Sequence, residues 1–197
     1  MSRTAQLSRT TGETDVEVSL DLDGGPPGKL DTGVGFFDHM LDLLARHGRI
    51  GLGVTVAGDL GTGAHHTVED TGIVLGQVLD QALGDRHGIR RYGHAVVPMD
   101  EARAACSIDV SGRPYCHFGG LELPPGTIAG FEHEAAAEFF RAVASAARLT
   151  LHIELQAGAN AHHMIEACFK AFARALRIAV AIDPEEPGVP STKGTLT

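Results

Sequence analysis

Two copies of one short pattern constrain this chain more than any other feature. His65-His66-Thr67-Val68-Glu69 and His162-His163-Met164-Ile165-Glu166 share the spacing His-His-x-x-Glu. Each closes the same series of signals. Before the first come helical spacing over Phe36–His47, alternation over Ile50–Val56 and a glycine-rich loop over Gly58–Gly63, and a helix is expected over Thr67–Leu83. Before the second come helical spacing over Glu132–Arg148, alternation over Leu149–Leu155 and a short loop at Gly158, and a helix is expected over Ala161–Val180. Duplication of one α/β unit explains that order, and two such units can share one core. The 197 residues, 43% of them hydrophobic, suffice to build it.

The rest of the chain fits the repeat. Val16–Leu22 alternates as a strand and Asp23–Gly28 reads as a turn. Tyr92–Val97 and Ala102–Val110 read as strands around a turn at Pro98–Glu101, and Leu121–Gly130 as a connection. The expected division is 1–92 and 93–182, followed by an irregular tail, 183–197, containing Pro184, Pro187 and Pro190.

Residues three and four apart share a helix face, so Glu69 can converge with His65 and His66, and Glu166 with His162 and His163. Adjacent histidines diverge by about 100° on a helix, which suits two ions better than one chelate. Imidazole with carboxylate suits Mn, Fe, Zn, Co or Ni rather than calcium, and neither segment is the HExxH of zinc hydrolases. The loops before both pairs leave helix N-termini open to an anion. His39, within Asp38-His39-Met40-Leu41-Asp42, is a further ligand candidate, and His47 near the end of that helix a weaker one. Arg90, Arg91, Arg113, Lys170 and Lys193 border these segments and can bind phosphate.

A net charge of -9 argues against a nucleic-acid partner. No run of 18 apolar residues predicts a membrane span, and the polar N-terminus is unlike a secretory signal, so a cytoplasmic location is expected. Cys106, Cys116 and Cys168 show no CxxC spacing and read as small core hydrophobes.

The segments FFDHMLDLLARHG, GDLGTGAHHTVEDTGIVLGQ, RRYGHAVVPMDEA, DVSGRPY, NAHHMIEACFKAFARALR and PSTKG, from about residue 13 to 194, together resemble the imidazoleglycerol-phosphate dehydratase family. The resemblance implies an α+β fold of duplicated βαβ-type half-units, similar to the ribosomal protein S5 domain 2-like fold, with two four-stranded sheets packed with helices. It implies a lyase of histidine biosynthesis that dehydrates imidazole glycerol phosphate to imidazole acetol phosphate. It also implies two Mn(2+) per active site and a homo-24-mer with sites between subunits. One ion would take His39, His66, His162 and Glu166; the other His65, Glu69, His163 and a residue of the helix before Leu149. Where the family often has histidine this chain has Glu138, so either Glu138 or His133 completes that set. Glu13, His39, His47, Arg91, Arg113, Lys170, Ser191, Thr192 and Lys193 match substrate-contacting positions, with Arg91, Arg113, Lys170, Ser191 and Lys193 as the phosphate set. Arg113 alternatively fixes the DVSGRPY turn.

The hydrogen on the glycerol C2 is weakly acidic, so elimination needs the ring to become an imidazolate and pass through a diazafulvene-like species. Glu166 or Glu69 is the expected base, with Glu13 as the other acid–base candidate. A dimetal phosphoester hydrolase would use the same residues. A non-catalytic metal-binding assembly protein would not need the phosphate set.

Overall fold

In the computed structural model, residues 2–26 and 28–196 are described; Met1, Pro27 and Thr197 lie outside them, and with Pro27 one position of the expected 23–28 turn. The first half contains β1 (Thr4–Thr10), β2 (Thr14–Asp21), β3 (Leu30–Asp31), α1 (Gly35–Gly48), β4 (Gly51–Gly58) and α2 (His65–Leu83). The second contains β5 (Tyr92–Met99), β6 (Ala102–Asp109), β7 (Tyr115–Gly120), the small hairpin β8 (Thr127–Ile128) and β9 (Phe131–Glu132), α3 (Ala135–Ala146), β10 (Thr150–Ala157) and α4 (Ala161–Ala179).

The two sheets have one topology. Their orders are β1-β2-β4-β3 and β5-β6-β10-β7, with the last pair of each parallel and the others antiparallel. Position by position, α1 answers to α3 and α2 to α4. Period-two patterning produces the sheets. In β2, Val16, Val18 and Leu20 are buried, and the register sets them opposite Val56, Val54 and Leu52 of β4. Strand residues left half-polar belong to edges: β1 offers only Ala5 and Leu7 to the core, β3 is two residues long, and β7 half-buries Cys116 and Phe118. These three strands lack a clear alternating signature in the sequence.

α2 packs on β1, β2 and β4 and against α3, while α4 packs on β5, β6 and β10 and against α1. Helices of one half therefore meet helices of the other, and one core runs through both. At its centre, Phe139 stacks on Phe169 with ring centroids 5.1 Å apart, and Phe37 meets Phe139 edge-on at 5.4 Å. Glycine makes the α2–α3 approach possible: a Cβ on Gly76 would lie 2.7 Å from both the Ala146 Cβ and the Val143 carbonyl oxygen.

Local signals set the helix ends that carry function. The Asp38 carboxylate accepts from the Thr32 backbone N–H (2.8 Å) and hydroxyl (2.7 Å) before α1 turns, and Arg49 closes α1 at φ 55°. The Asn160 side chain caps α4 by accepting from the His162 N–H at 2.9 Å. The tail runs without helix or strand along the connection between the two halves. Arg86, 1% exposed, donates to the Leu196 carbonyl at 2.5 Å, and Gly88 N–H donates to the Gly188 carbonyl at 2.7 Å. Cys106 and Cys168 are buried and Cys116 half-buried, all as free thiols. Among the described residues, no helix is long and apolar enough to cross a membrane.

Candidate metal and substrate site

Both His-His-x-x-Glu segments open helices, α2 at His65 and α4 in its first turn. Helical spacing alone brings His65 Nε2 to 3.5 Å from Glu69 Oε2, and His162 Nε2 to 3.2 Å from Glu166 Oε2. Packing of α1 on α4 adds what spacing could not: His39 Nε2 comes within 3.6 Å of the same Glu166 oxygen. Among the described residues, His39, His162 and Glu166 form the one group of three whose ligand atoms all lie within 4.8 Å of one another. Two nitrogens and a carboxylate oxygen fit a first-row divalent ion. The Phe36 ring, edge-on to His162 at 5.0 Å, anchors that imidazole to the core.

Glu166 is 7% exposed in its side chain, and its other oxygen lies 2.5 Å from Lys170 Nζ. Burial pushes its carboxyl upward, but the Lys170 hydrogen bond and charge, then His39 and His162, outweigh that and hold it below the ordinary carboxylate value. Lys170 also reaches Met99 Sδ at 3.4 Å. His47, further along α1, is held below its ordinary value by burial first, then by the positive charges of Lys170, Arg174 and Arg46.

The second histidine of each pair is held differently. His66 Nδ1 lies 3.0 Å from an Asp59 oxygen, and His163 Nδ1 lies 2.7 Å from Glu101 Oε2. Both imidazoles are thereby raised above the ordinary histidine value, and Glu101 is lowered to about 2. Their Nε2 atoms face Glu13 Oε1 at 3.7 Å and Asp100 Oδ2 at 3.8 Å. Neither Asp59, Asp100 nor Glu101 stood out in the sequence; they sit in turns, where no periodicity marks a function.

Glu69 shares a surface groove with Ile73, Glu138 and Arg141, in which Glu138 pairs with Arg141 at 2.5 Å. His133 lines a neighbouring groove with Glu138 and Arg141 rather than the groove of Glu69, its Nδ1 on the Pro124 carbonyl at 2.6 Å and its buried Nε2 without a partner.

The basic residues divide between the two ends of α4. Arg91 grips Asp109 with two nitrogens (2.7 and 3.1 Å) and donates to the Pro190 carbonyl at 2.9 Å, and the Asp109 contact raises it further above its already high value. Arg113 reaches Asp109 at 3.6 Å and its own Ser111 carbonyl at 3.4 Å, so it both joins this cluster and braces its turn. Ser191 Oγ accepts from the Lys193 N–H at 3.2 Å, leaving the Thr192 and Lys193 side chains exposed. Arg91 N–H bonds the Ala179 carbonyl at the end of α4, whereas His162 lies at its start. Seventeen helical residues separate the two, about 25 Å. Lys170 stands between them, nine residues before Ala179, about 14 Å along the helix.

The duplicated α/β fold with a histidine–carboxylate cluster on α1 and α4 has the ligand set of a metal-binding protein. The model of the family described as "IGPD: Imidazoleglycerol-phosphate dehydratase" matches residues 32–176. A relative of that name from Symbiobacterium thermophilum is 56% identical over 194 residues, covering 98% of this chain and 93% of its own. One from Jannaschia sp. is 53% identical over 195 residues, covering 98% and 100%. The solved structure from Staphylococcus aureus superposes with a TM-score of 0.83 at 42% identity, covering 91% of this chain and 99% of that one. That from Pyrococcus furiosus gives 0.83 at 36% identity, covering 96% and 100%. The chain belongs to the imidazoleglycerol-phosphate dehydratase family.

Proposed function

We propose that this protein is a carbon–oxygen lyase that dehydrates imidazole glycerol phosphate to imidazole acetol phosphate in histidine biosynthesis. The observation that carries the reading is the His39–His162–Glu166 cluster with Lys170 beside it, inside a chain that matches dehydratases of that name along nearly its whole length.

We infer two manganese ions per site. His39, His66, His162 and Glu166 would hold one, and His65, Glu69, His163 and Glu138 the other. Glu138 is preferred to His133 because it shares the groove of Glu69, whereas His133 is turned to Pro124. Bound manganese would supply Lewis acidity toward the substrate's imidazole and hydroxyl.

The chain's own groups do the rest. Both Glu166 oxygens are engaged, one by Lys170 and one by the imidazoles, so Glu166 orients rather than carries protons. Glu69 has the same intrahelical tie to His65. Glu13, exposed and 3.7 Å from His66 Nε2, is the freest of the three to move a proton between the glycerol carbon and its hydroxyls. His47 and Lys170 would flank the substrate beside α4. Arg91, Arg113, Lys170, Ser191 and Lys193 would take the phosphate, with Thr192 as a further substrate contact and 183–197 as a closing segment. Arg91, held at the far end of α4 about 25 Å from His162, is separated from it by more than the reach of one small substrate. The complete site therefore draws on more than one copy, in keeping with a homo-24-mer built from repeats 1–92 and 93–182.

Incubation of the manganese-loaded protein with imidazole glycerol phosphate tests the reaction. Ketone product without inorganic phosphate is expected. Phosphate release would favour the hydrolase reading, and no turnover would leave a metal-binding assembly protein.

A further inference from the structure

We propose that Asp59 and Glu101 are positioning residues for the metal centre. Each fixes the second histidine of its pair so that Nε2, and not Nδ1, carries the lone pair offered to an ion. The proposal rests on the metal-site reading above and extends it to two carboxylates that are not themselves ligands.

The geometry is the same in both halves. Asp59 meets His66 Nδ1 at 3.0 Å and Glu101 meets His163 Nδ1 at 2.7 Å. An ionised carboxylate only accepts, so in the neutral ring Nδ1 carries the proton and Nε2 the lone pair. A metal-binding imidazole held by a carboxylate on its far nitrogen has its rotation and tautomer set and its basicity raised. The first histidines lack this arrangement: His65 and His162 meet their carboxylates through Nε2, and those carboxylates are the proposed co-ligands Glu69 and Glu166.

The duplicated backbone does not dictate the contact. Asp59 follows β4, whereas Glu101 stands in the β5–β6 turn, a place that answers to the β1–β2 turn of the first half. Equivalent histidines thus meet the same chemistry from non-equivalent places. Both carboxylates are anchored in turn. Asp59 accepts from the Thr62 hydroxyl at 3.0 Å, and Glu101 from the Asn160 N–H at 2.9 Å and the Ala159 N–H at 3.3 Å. The Glu101 contacts also tie the β5–β6 turn to the start of α4, so the hairpin and the helix bearing His162, His163 and Glu166 are set as one unit.

The test is manganese affinity of the full-length protein, followed by the EPR signal of the free ion during titration. Asp59→Ala and Glu101→Ala are each expected to weaken binding roughly 10–100-fold. Glu101→Gln and Asp59→Asn keep an acceptor for the neighbouring groups but lose the charge. At a pH above the raised values of His66 and His163, where both imidazoles are neutral, they are expected to unfold close to the parent without metal and still bind manganese several-fold more weakly. Parental affinity in the Gln and Asn variants, or in Ala variants that unfold at the parental temperature, overturns the proposal. A parent that binds no manganese, or a His163→Ala variant that binds as tightly as the parent, brings down the metal-site reading itself, and the proposal with it.

Discussion

Replacing Lys170 by Met keeps most of the aliphatic stem and removes only the ammonium, which makes it a clean probe of Glu166. The pair is 2.5 Å apart, with side-chain exposures of 17% for Lys170 and 7% for Glu166. Removing one partner of a buried pair costs about 3–5 kcal/mol, because the other is left as an uncompensated charge. Lys170 is not fully buried, and the His39 and His162 imidazoles remain near Glu166, so a loss of about 2–3 kcal/mol is expected for the metal-free protein. For a chain of this size that is a fall of about 4–12 °C in Tm, readable by circular dichroism. Manganese places new positive charge beside Glu166, so the deficit narrows in the loaded protein. The pH dependence follows from the sign. In the parent, Glu166 lies below its ordinary value of 4.5, so its contribution is present above that value and is lost as pH falls through the lowered one. Without Lys170, burial dominates and the carboxyl rises, so the variant's deficit shrinks as pH is lowered from 7 toward 5. An unchanged metal-free Tm at pH 7, or a deficit that grows on acidification, would refute this account of the site.

Other outcomes follow from the same structure. A Cβ on Gly93 would lie 1.9 Å from the Ala175 carbonyl oxygen, so Gly93→Ala should force β5 off α4 at a cost near the top of the overpacking range, about 2–3 kcal/mol; a parental melting curve contradicts that. His66 and His163 are raised above 6.5 by Asp59 and Glu101, so their contribution to the metal-free fold is complete below 6.5 and lost as pH rises through the higher values. The metal-free Tm should therefore decline from pH 6 to 8 at these sites, while manganese affinity rises as the protons leave, and calorimetry at the two pH values checks both. Arg91→Ala and His162→Ala should each be inactive alone; co-assembled from mixed, dissociated chains they should regain part of the turnover, and no recovery argues that one chain supplies the whole site.

How much of this was legible in the sequence depended on whether the signal was periodic. The paired His-His-x-x-Glu segments announced both the duplication and the intrahelical meetings of His65 with Glu69 and His162 with Glu166, because helix geometry fixes what lies four residues on. The meeting of His39 with Glu166 depends on how α1 lies on α4; no spacing encodes it, and only the resemblance to a known family anticipated it. Asp59 and Glu101 were missed because turn carboxylates look alike whether they cap a helix or orient a ligand. β1, β3 and β7 escaped for a similar reason: edge strands bury little, so their apolar alternation is weak. The division of basic residues between the two ends of α4 became visible only with the helix in place.

The most direct test of the central claim is turnover of imidazole glycerol phosphate by protein stripped of metal and then titrated with manganese. The stripped protein should give no ketone, and activity should rise to a plateau at two ions per chain. Full activity without metal, or tight manganese binding that never yields ketone, would contradict the claim.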